Sequence, residues 1–233
     1  MTAAPEILWF RDDQRPELAA RYQRGQRACY ARHGAAAAAD QPLHPGVHMI
    51  AALGERDTIL AGMRVHQPGP DHPLPVELAL QRRCPISAAL AARQPAPVVE
   101  MCGLWLVDDP PLPGLAAAVT RVALAVCRVL GARSVVGCAH QHVLPFYRRY
   151  GAVVDESLGA HPYPGPRYTT QVVFGDLVTL GGAVPEERAG VLRLTDLLRR
   201  APALRWDQAW PRGHAPRDMS HPPAVTCAAA PPS

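Results

Sequence analysis

The groups able to move a proton or grip a polar substrate gather in the middle of the chain. Glu100 stands inside the apolar run VVEMCG. An ionised carboxylate there is costly without a partner. It therefore calls for a cation, a ligand, or a role as a base. Cys102 follows two residues later, and Cys138, His140 and His142 alternate in SVVGCAHQH. Histidine titrates near neutrality, which makes His140 a second candidate base. Tyr147 lies in FYRRYG, where its phenol can donate a proton or its ring can simply pack. Arg64, near the end of TILAGMRVH, is the basic residue that ends the hairpin. The structural alternative for Glu100 is an ion pair with Arg64 or Arg133. Cys102 has no nucleophile triad around it and reads as an inert buried thiol. The Cys138, His140 and His142 set lacks a complementary ligand pair at fixed spacing, so no metal is expected.

Two strands, a helix and a short helix must position these groups. Val98–Val107 reads as a strand, and the DDPPLPG that follows cannot continue it because proline supplies no ladder donor. Leu115, Val119, Val122, Val126 and Leu130 recur at intervals of three and four, which is one helical face, and Gly131 suits its end. Ser134–Ala139 is a buried strand, and Pro145–Tyr150 a short helix with proline in its first turn. Residues two apart on a strand share a face. Glu100 therefore points with Cys102, and Cys138 with His140, and with His142 if the strand persists. Where the two strands are neighbours, all five converge.

Around this core the chain predicts a strand at Ile7–Phe10, an amphipathic helix at Arg15–Arg32, and a hairpin from His48–Leu53 and Thr58–His66 joined by GERD. The alanine run Ala35–Ala39 is a loop placed to lie over a site. Val76–Arg93 reads as two short helices broken near Pro85. Ala152–Asp155 and Tyr168–Leu177 are the closing strands, the latter read as the last. The composition of the loop between them assigns no role to His161 or Tyr163. A further helix spans Pro185–Arg200, acidic at its start and basic at its end. The Pro/Ala/Ser-rich residues 211–233 read as a disordered tail.

Composition narrows the classes. The 233 residues are 48% hydrophobic and 19% charged, enough for one globular domain with a small appendage. The net charge of +4 suits an anionic small molecule or an acidic carrier protein. No basic block interleaved with aromatics points to nucleic acid. No run approaches a membrane span, and MTAAPEILWFRDD is too acidic for a secretion signal. Six cysteines without a CxxC pair then imply a soluble cytoplasmic protein with reduced thiols.

The order of elements, together with FYRRYGA and the strand–glycine turn–long helix at Val98–Leu130, resembles the GNAT acyltransferase superfamily over about residues 7–180. Glu100 in the strand before the loop, Arg64 at the hairpin's end and the closing segment LGAHPYPGPRYTTQVVFGDL are similar to acyl-homoserine-lactone synthases and long-chain N-acyl amino acid synthases. The resemblance implies an α/β (α+β) fold: a mixed, mostly antiparallel central sheet with helices on both faces and a splayed parallel strand pair. It implies a domain at 1–180, a helical extension at 181–210 and the tail at 211–233. It also implies transfer of an acyl group from acyl-CoA or an acylated carrier protein to the amine of a small acceptor such as an amino acid. The pantetheine arm would lie between the parted strands. Leu104, Leu106, Gly114, Leu115 and Ala116 would hold the cofactor. Tyr147, Glu100 and His140 would be catalytic, and Arg64, Glu100 and Cys138 would meet substrate. The alternatives are an autoinducer-like synthase and a binding module that has lost catalysis. DDPPLPGLA carries one glycine and two aspartates where acetyltransferases have an Arg/Gln-rich glycine loop, which argues against ordinary acetyl-CoA. Met101, Cys102 and Gly103 stand where the lactone synthases place an arginine, which argues against S-adenosylmethionine.

Overall fold

The structure is a computed structural model that describes residues 5–39, 43–93, 96–108, 110 and 112–210. Its elements in chain order are β1 (Glu6–Phe10), α1 (Pro16–Arg32), β2 (Val47–Leu53), β3 (Ile59–His66), α2 (Pro75–Leu80), α3 (Ile86–Ala91), β4 (Val98–Leu106) and α4 (Leu115–Val129). They continue with β5 (Ser134–His140), α5 (Leu144–Arg148), β6 (Val153–Val154), β7 (Ala160–His161), β8 (Thr170–Asp176), α6 (Pro185–Leu198), β9 (Ala203–Arg205) and α7 (Trp206–Ala209). The strands form one sheet in the order β6-β8-β5-β4-β3-β2-β1-β9, with β7 also on β8. Among these pairings β4–β5 is parallel and the rest are antiparallel. This is the expected mixed, mostly antiparallel sheet with helices on both faces. The proposed tail, 211–233, lies outside the described residues.

Helix α4 shows why the faces sort as they do. Its residues from Leu115 to Cys127 are all buried, because one side meets the sheet and the other meets α6. Helix α1 covers the opposite face with Leu18, Ala19, Tyr22 and Cys29. The short α2 and α3 pack beside it over Val98, Val136, Val172 and Phe174. Pro85 lies just before α3 and separates the two, as its ring requires.

The sequence reading ended the sheet at β8. A further strand, β9, pairs with β1 from Glu6↔Arg205 to Leu8↔Ala203. It is three residues long and lacks the alternation that flags longer strands, so pattern alone did not reveal it. The 181–210 segment thus packs α6 on α4 and adds an edge to the sheet.

A buried ion pair pins α6 to α4. Arg121 and Glu187 are each 3% exposed, and the guanidinium donates from Nε to the carboxylate. Arg149 adds a second contact to Glu187 at 3.3 Å. Removing the carboxylate leaves Arg121 buried without its counter-ion. Glu187→Ala should therefore cost about 3–5 kcal/mol in denaturant unfolding. A midpoint unchanged from wild type would show that the pair carries no net stability.

Candidate active site

The site begins where two strands separate. β4 and β5 pair at Val98↔Ser134, Val99↔Val135 and Glu100↔Val136, and the ladder stops there although both strands run on. Beyond it β4 is held from the other side by β3, with Gly62↔Trp105 and Ala61↔Leu106. The register slips between Gly62 and Arg64, because Arg64 faces Cys102. One extra residue on β4 is absorbed at Gly103, whose φ of 68° lies in the left-handed region that favours glycine. The Gly103 carbonyl accepts from Gln26 Nε2 of α1 at 3.1 Å. This bulge kinks β4 at Gly103.

A pocket of about 750 Å³, open space at its mouth included, lies on the α1 side of the parting. Glu100, Cys102, Cys138 and His140 line it together, so four of the five groups expected to converge do so. His142 does not. β5 ends at His140, and His142 sits in the exposed turn after it, its ring stacked on that of His140 at 5.8 Å. Tyr30, Ala35 and Ala38 close the pocket from above, so the alanine run covers the site as a short helical turn. Tyr163 lines the far wall.

Glu100 is 2% exposed. Its Oε2 accepts from the Val76 N–H at 2.7 Å, and no ion pair with Arg64 or Arg133 forms. Burial raises its carboxyl from 4.5 to about 8, against the lowering pull of the Val76 N–H and with a further rise from Glu77. A group poised near 8 suits a general base.

His140 is held in one tautomer. The Thr170 hydroxyl donates its single hydrogen to the Tyr163 carbonyl at 2.6 Å. It can therefore only accept from His140 Nδ1, at 2.7 Å. The proton sits on Nδ1 and the lone pair on Nε2. Burial and the neighbouring His142 lower its pKa to about 4, so the ring is neutral at neutral pH. Thr170 was missed in the sequence because its role depends on strand pairing.

Tyr147 is half-buried and belongs to a second pocket, of about 420 Å³, on the α4 side of the parting. Met101, Gly137, Tyr150 and Phe174 line it with Tyr147. Cys138 lines both pockets, so they meet where β4 and β5 part. Burial, then the nearby Cys102, raises the Tyr147 phenol above its ordinary value, so it stays protonated. Burial does the same to the Cys102 and Cys138 thiols, which disfavours either as a nucleophile.

The remaining expected residues fall as follows. Leu104 and Leu106 turn their side chains into the α4 core, which leaves only their backbone for a ligand. Gly114 precedes α4 with φ 85°, and Leu115 and Ala116 are buried at its first turn. The Trp210 indole packs against Gly114 so closely that a Cβ there would lie 2.8 Å from it. Arg64 is 1% exposed on β3, behind Cys102. Among the described residues no group of three or more His, Cys, Asp or Glu is placed to hold a metal, and no helix is long and apolar enough to cross a membrane.

No family model matches the chain. Curated relatives include uncharacterized proteins of Mycobacterium tuberculosis and Mycobacterium bovis, each 33% identical over 115 residues; the match covers 48% of this chain and 44% of theirs. The chain thus spans less than half the length of these relatives. Among solved structures, FeeM, an N-acyl amino acid synthase from uncultured soil microbes, matches with a TM-score of 0.57 and 13% identity, over 73% of this chain and 97% of its own. MesI, a CoA-dependent acyl-homoserine lactone synthase, matches with 0.55 and 15%, over 82% and 95%. A putative N-acetyltransferase from Lactobacillus plantarum matches with 0.51 and 14%, over 75% and 99%. At these identities the likeness is one of architecture, and with its bulged β4 and parted β4–β5 pair the chain has the GNAT fold.

Proposed function

We propose that the protein is an N-acyltransferase that moves an acyl group from acyl-CoA or an acylated carrier protein to the amine of a small acceptor. The observation that carries this reading is the end of the β4–β5 ladder after Glu100↔Val136, with a bulge on one side and two connected pockets. The activities of FeeM and MesI support it. The pantetheine arm lies between the strands, its amides pairing with the free edge of β4 near Leu104 and Leu106. The phosphates lie toward Gly114, Leu115 and Ala116. The acceptor amine enters from the α1 side, where Cys138 forms part of the wall.

Glu100 takes the proton from the acceptor's ammonium, and the neutral amine attacks the thioester carbonyl carbon. The carbonyl π electrons move onto oxygen, where backbone donors at the bulge meet them. His140 Nε2 receives the proton the nitrogen sheds. As the C–S bond breaks, the electron pair leaves with sulfur, and Tyr147 donates a hydrogen to it. Amide and free thiol are the products.

Incubating the protein with acyl thioesters of graded length, as CoA and as carrier-protein conjugates, and with a panel of amines should release free thiol. No release with any donor at any length would overturn the proposal. Tyr147→Phe should lower kcat about a hundredfold while leaving donor affinity unchanged. Unchanged turnover would remove the phenol from the mechanism. The packing of Trp210 against Gly114 favours a second reading, a binding module without turnover. Stabilisation by CoA with no thiol release, unaffected by Tyr147→Phe, would support it. Methylthioadenosine formed from S-adenosylmethionine would point instead to an autoinducer-like synthase.

A further inference from the structure

Cys102 and Cys138 face one another across the place where β4 and β5 part. The last ladder pair is Glu100↔Val136, so the two cysteines hold matching positions, each two residues further along its strand. By alternation each points to the same side as its ladder residue, and both line the α1-side pocket. Both sulfurs are thiols.

At this level the separation of the strands has only begun. A Cβ on Gly137 would lie 2.9 Å from the Met101 carbonyl oxygen, so the residues just before the two cysteines still touch. Paired strands run about 4.8 Å apart. A disulfide joins Cα atoms about 4.4–6.8 Å apart, which leaves room for a gap that is just opening. Gly103 and Gly137 stand next to the two cysteines, and Gly103 is the left-handed residue of the bulge. Backbone beside a glycine can shift to meet the dihedral preference of the bond.

The place matters for the passage between the pockets. Cys138 lines both of them. A bond from its sulfur to Cys102 would stand across the opening that joins the α4 side to the α1 side. Burial, then Glu100 and Cys138, pushes the Cys102 thiol up. Burial, then Glu100 and Cys84, does the same to Cys138. Protonated thiols are slow to oxidise, so the pair resists weak oxidants and responds to strong ones.

We propose that Cys102 and Cys138 are an oxidation site: hydrogen peroxide converts them to a disulfide that staples β4 to β5 and shuts the passage between the two pockets. One sulfur attacks a peroxide oxygen, the O–O bond breaks, and a sulfenic acid and water result. The second sulfur attacks the first, the S–O bond breaks as the S–S bond forms, and a second water leaves with the remaining protons. The two sulfurs give up two electrons in total, and the peroxide takes them. The bond itself is independent of the acyl-transfer reading, whereas its effect on turnover rests on that reading.

For the test, full-length protein is treated with hydrogen peroxide, remaining thiols are alkylated, and tryptic peptides are mapped by mass. Cleavage after arginine puts Cys84, Cys102 and Cys138 on separate peptides. The expected product joins the Cys102 and Cys138 peptides with loss of two hydrogen atoms and reverts with dithiothreitol. Oxidation should abolish thiol release from acyl thioesters, and reduction followed by desalting should restore it. In Cys102→Ser/Cys138→Ser the same treatment should leave that variant's own rate unchanged. Peroxide that leaves both cysteines open to alkylation, or joins Cys138 to Cys84 instead, would overturn the site. So would a mapped Cys102–Cys138 bond with undiminished thiol release. A mapped, reversible bond in a protein that releases no thiol even when reduced would keep the oxidation site and discard acyl transfer.

Discussion

Glu100→Gln should lower kcat/KM by about 10²–10⁴-fold and abolish the rise of activity with pH. The wild-type carboxyl, pushed up to about 8 by burial, is mostly protonated at neutral pH. Rate should therefore climb as pH passes through that value, because only the ionised form accepts the amine's proton. Glutamine keeps the shape and can still accept from the Val76 N–H, but it cannot titrate. Steady-state rates from pH 6 to 10 decide the matter, and a variant that keeps the ascending limb moves the base elsewhere. The same shift has a stability consequence of opposite sense. The folded protein prefers the neutral carboxyl, so this group's contribution is complete below its ordinary 4.5 and is lost as pH rises through about 8. The variant should gain on the wild type across that window, by a few kcal/mol at the alkaline end.

Gly137→Val should abolish transfer, at least a thousandfold, by filling the space between the strands. Gly137 is the first β5 residue beyond the ladder, and a Cβ there would lie 2.9 Å from the Met101 carbonyl oxygen. That oxygen is backbone and cannot rotate away. Valine would push into the path assigned to the pantetheine arm, at a cost in stability of about 1–3 kcal/mol from overpacking. Circular dichroism would confirm the fold, and loss of CoA-induced thermal protection would locate the defect in donor binding. A folded variant with full activity would mean that the donor enters elsewhere.

Much of this arrangement was legible in the sequence because it depends on periodicity. Alternation in VVEMCG and SVVGCAH placed Glu100, Cys102, Cys138 and His140 on one face, and the structure brings them to one pocket. The same reasoning failed for His142, because alternation holds only while the strand lasts. The helix at Arg15–Arg32 was legible as amphipathic, yet the roles of Gln26 and Tyr30 depend on what the helix covers. Thr170 and Trp210 could not be read from alternation, since only strand pairing and the path of the chain after α6 bring them near. The separation of Glu100 from Tyr147 into two pockets, joined at Cys138, likewise follows from three-dimensional divergence.

The single extra residue at Gly103 acts on β4 as a frameshift acts on a message. Upstream, Glu100 and Cys102 look toward α1, while Val99 and Met101 look toward α4. Downstream the parity is exchanged, and Trp105 looks toward α1 while Leu104 looks toward α4. One strand thereby presents polar groups to the α1-side pocket and, a few residues on, a tryptophan to the same layer. Losing or gaining one residue here would turn half the strand inside out. Descendants of this sequence can vary side chains along β4, but its length is fixed.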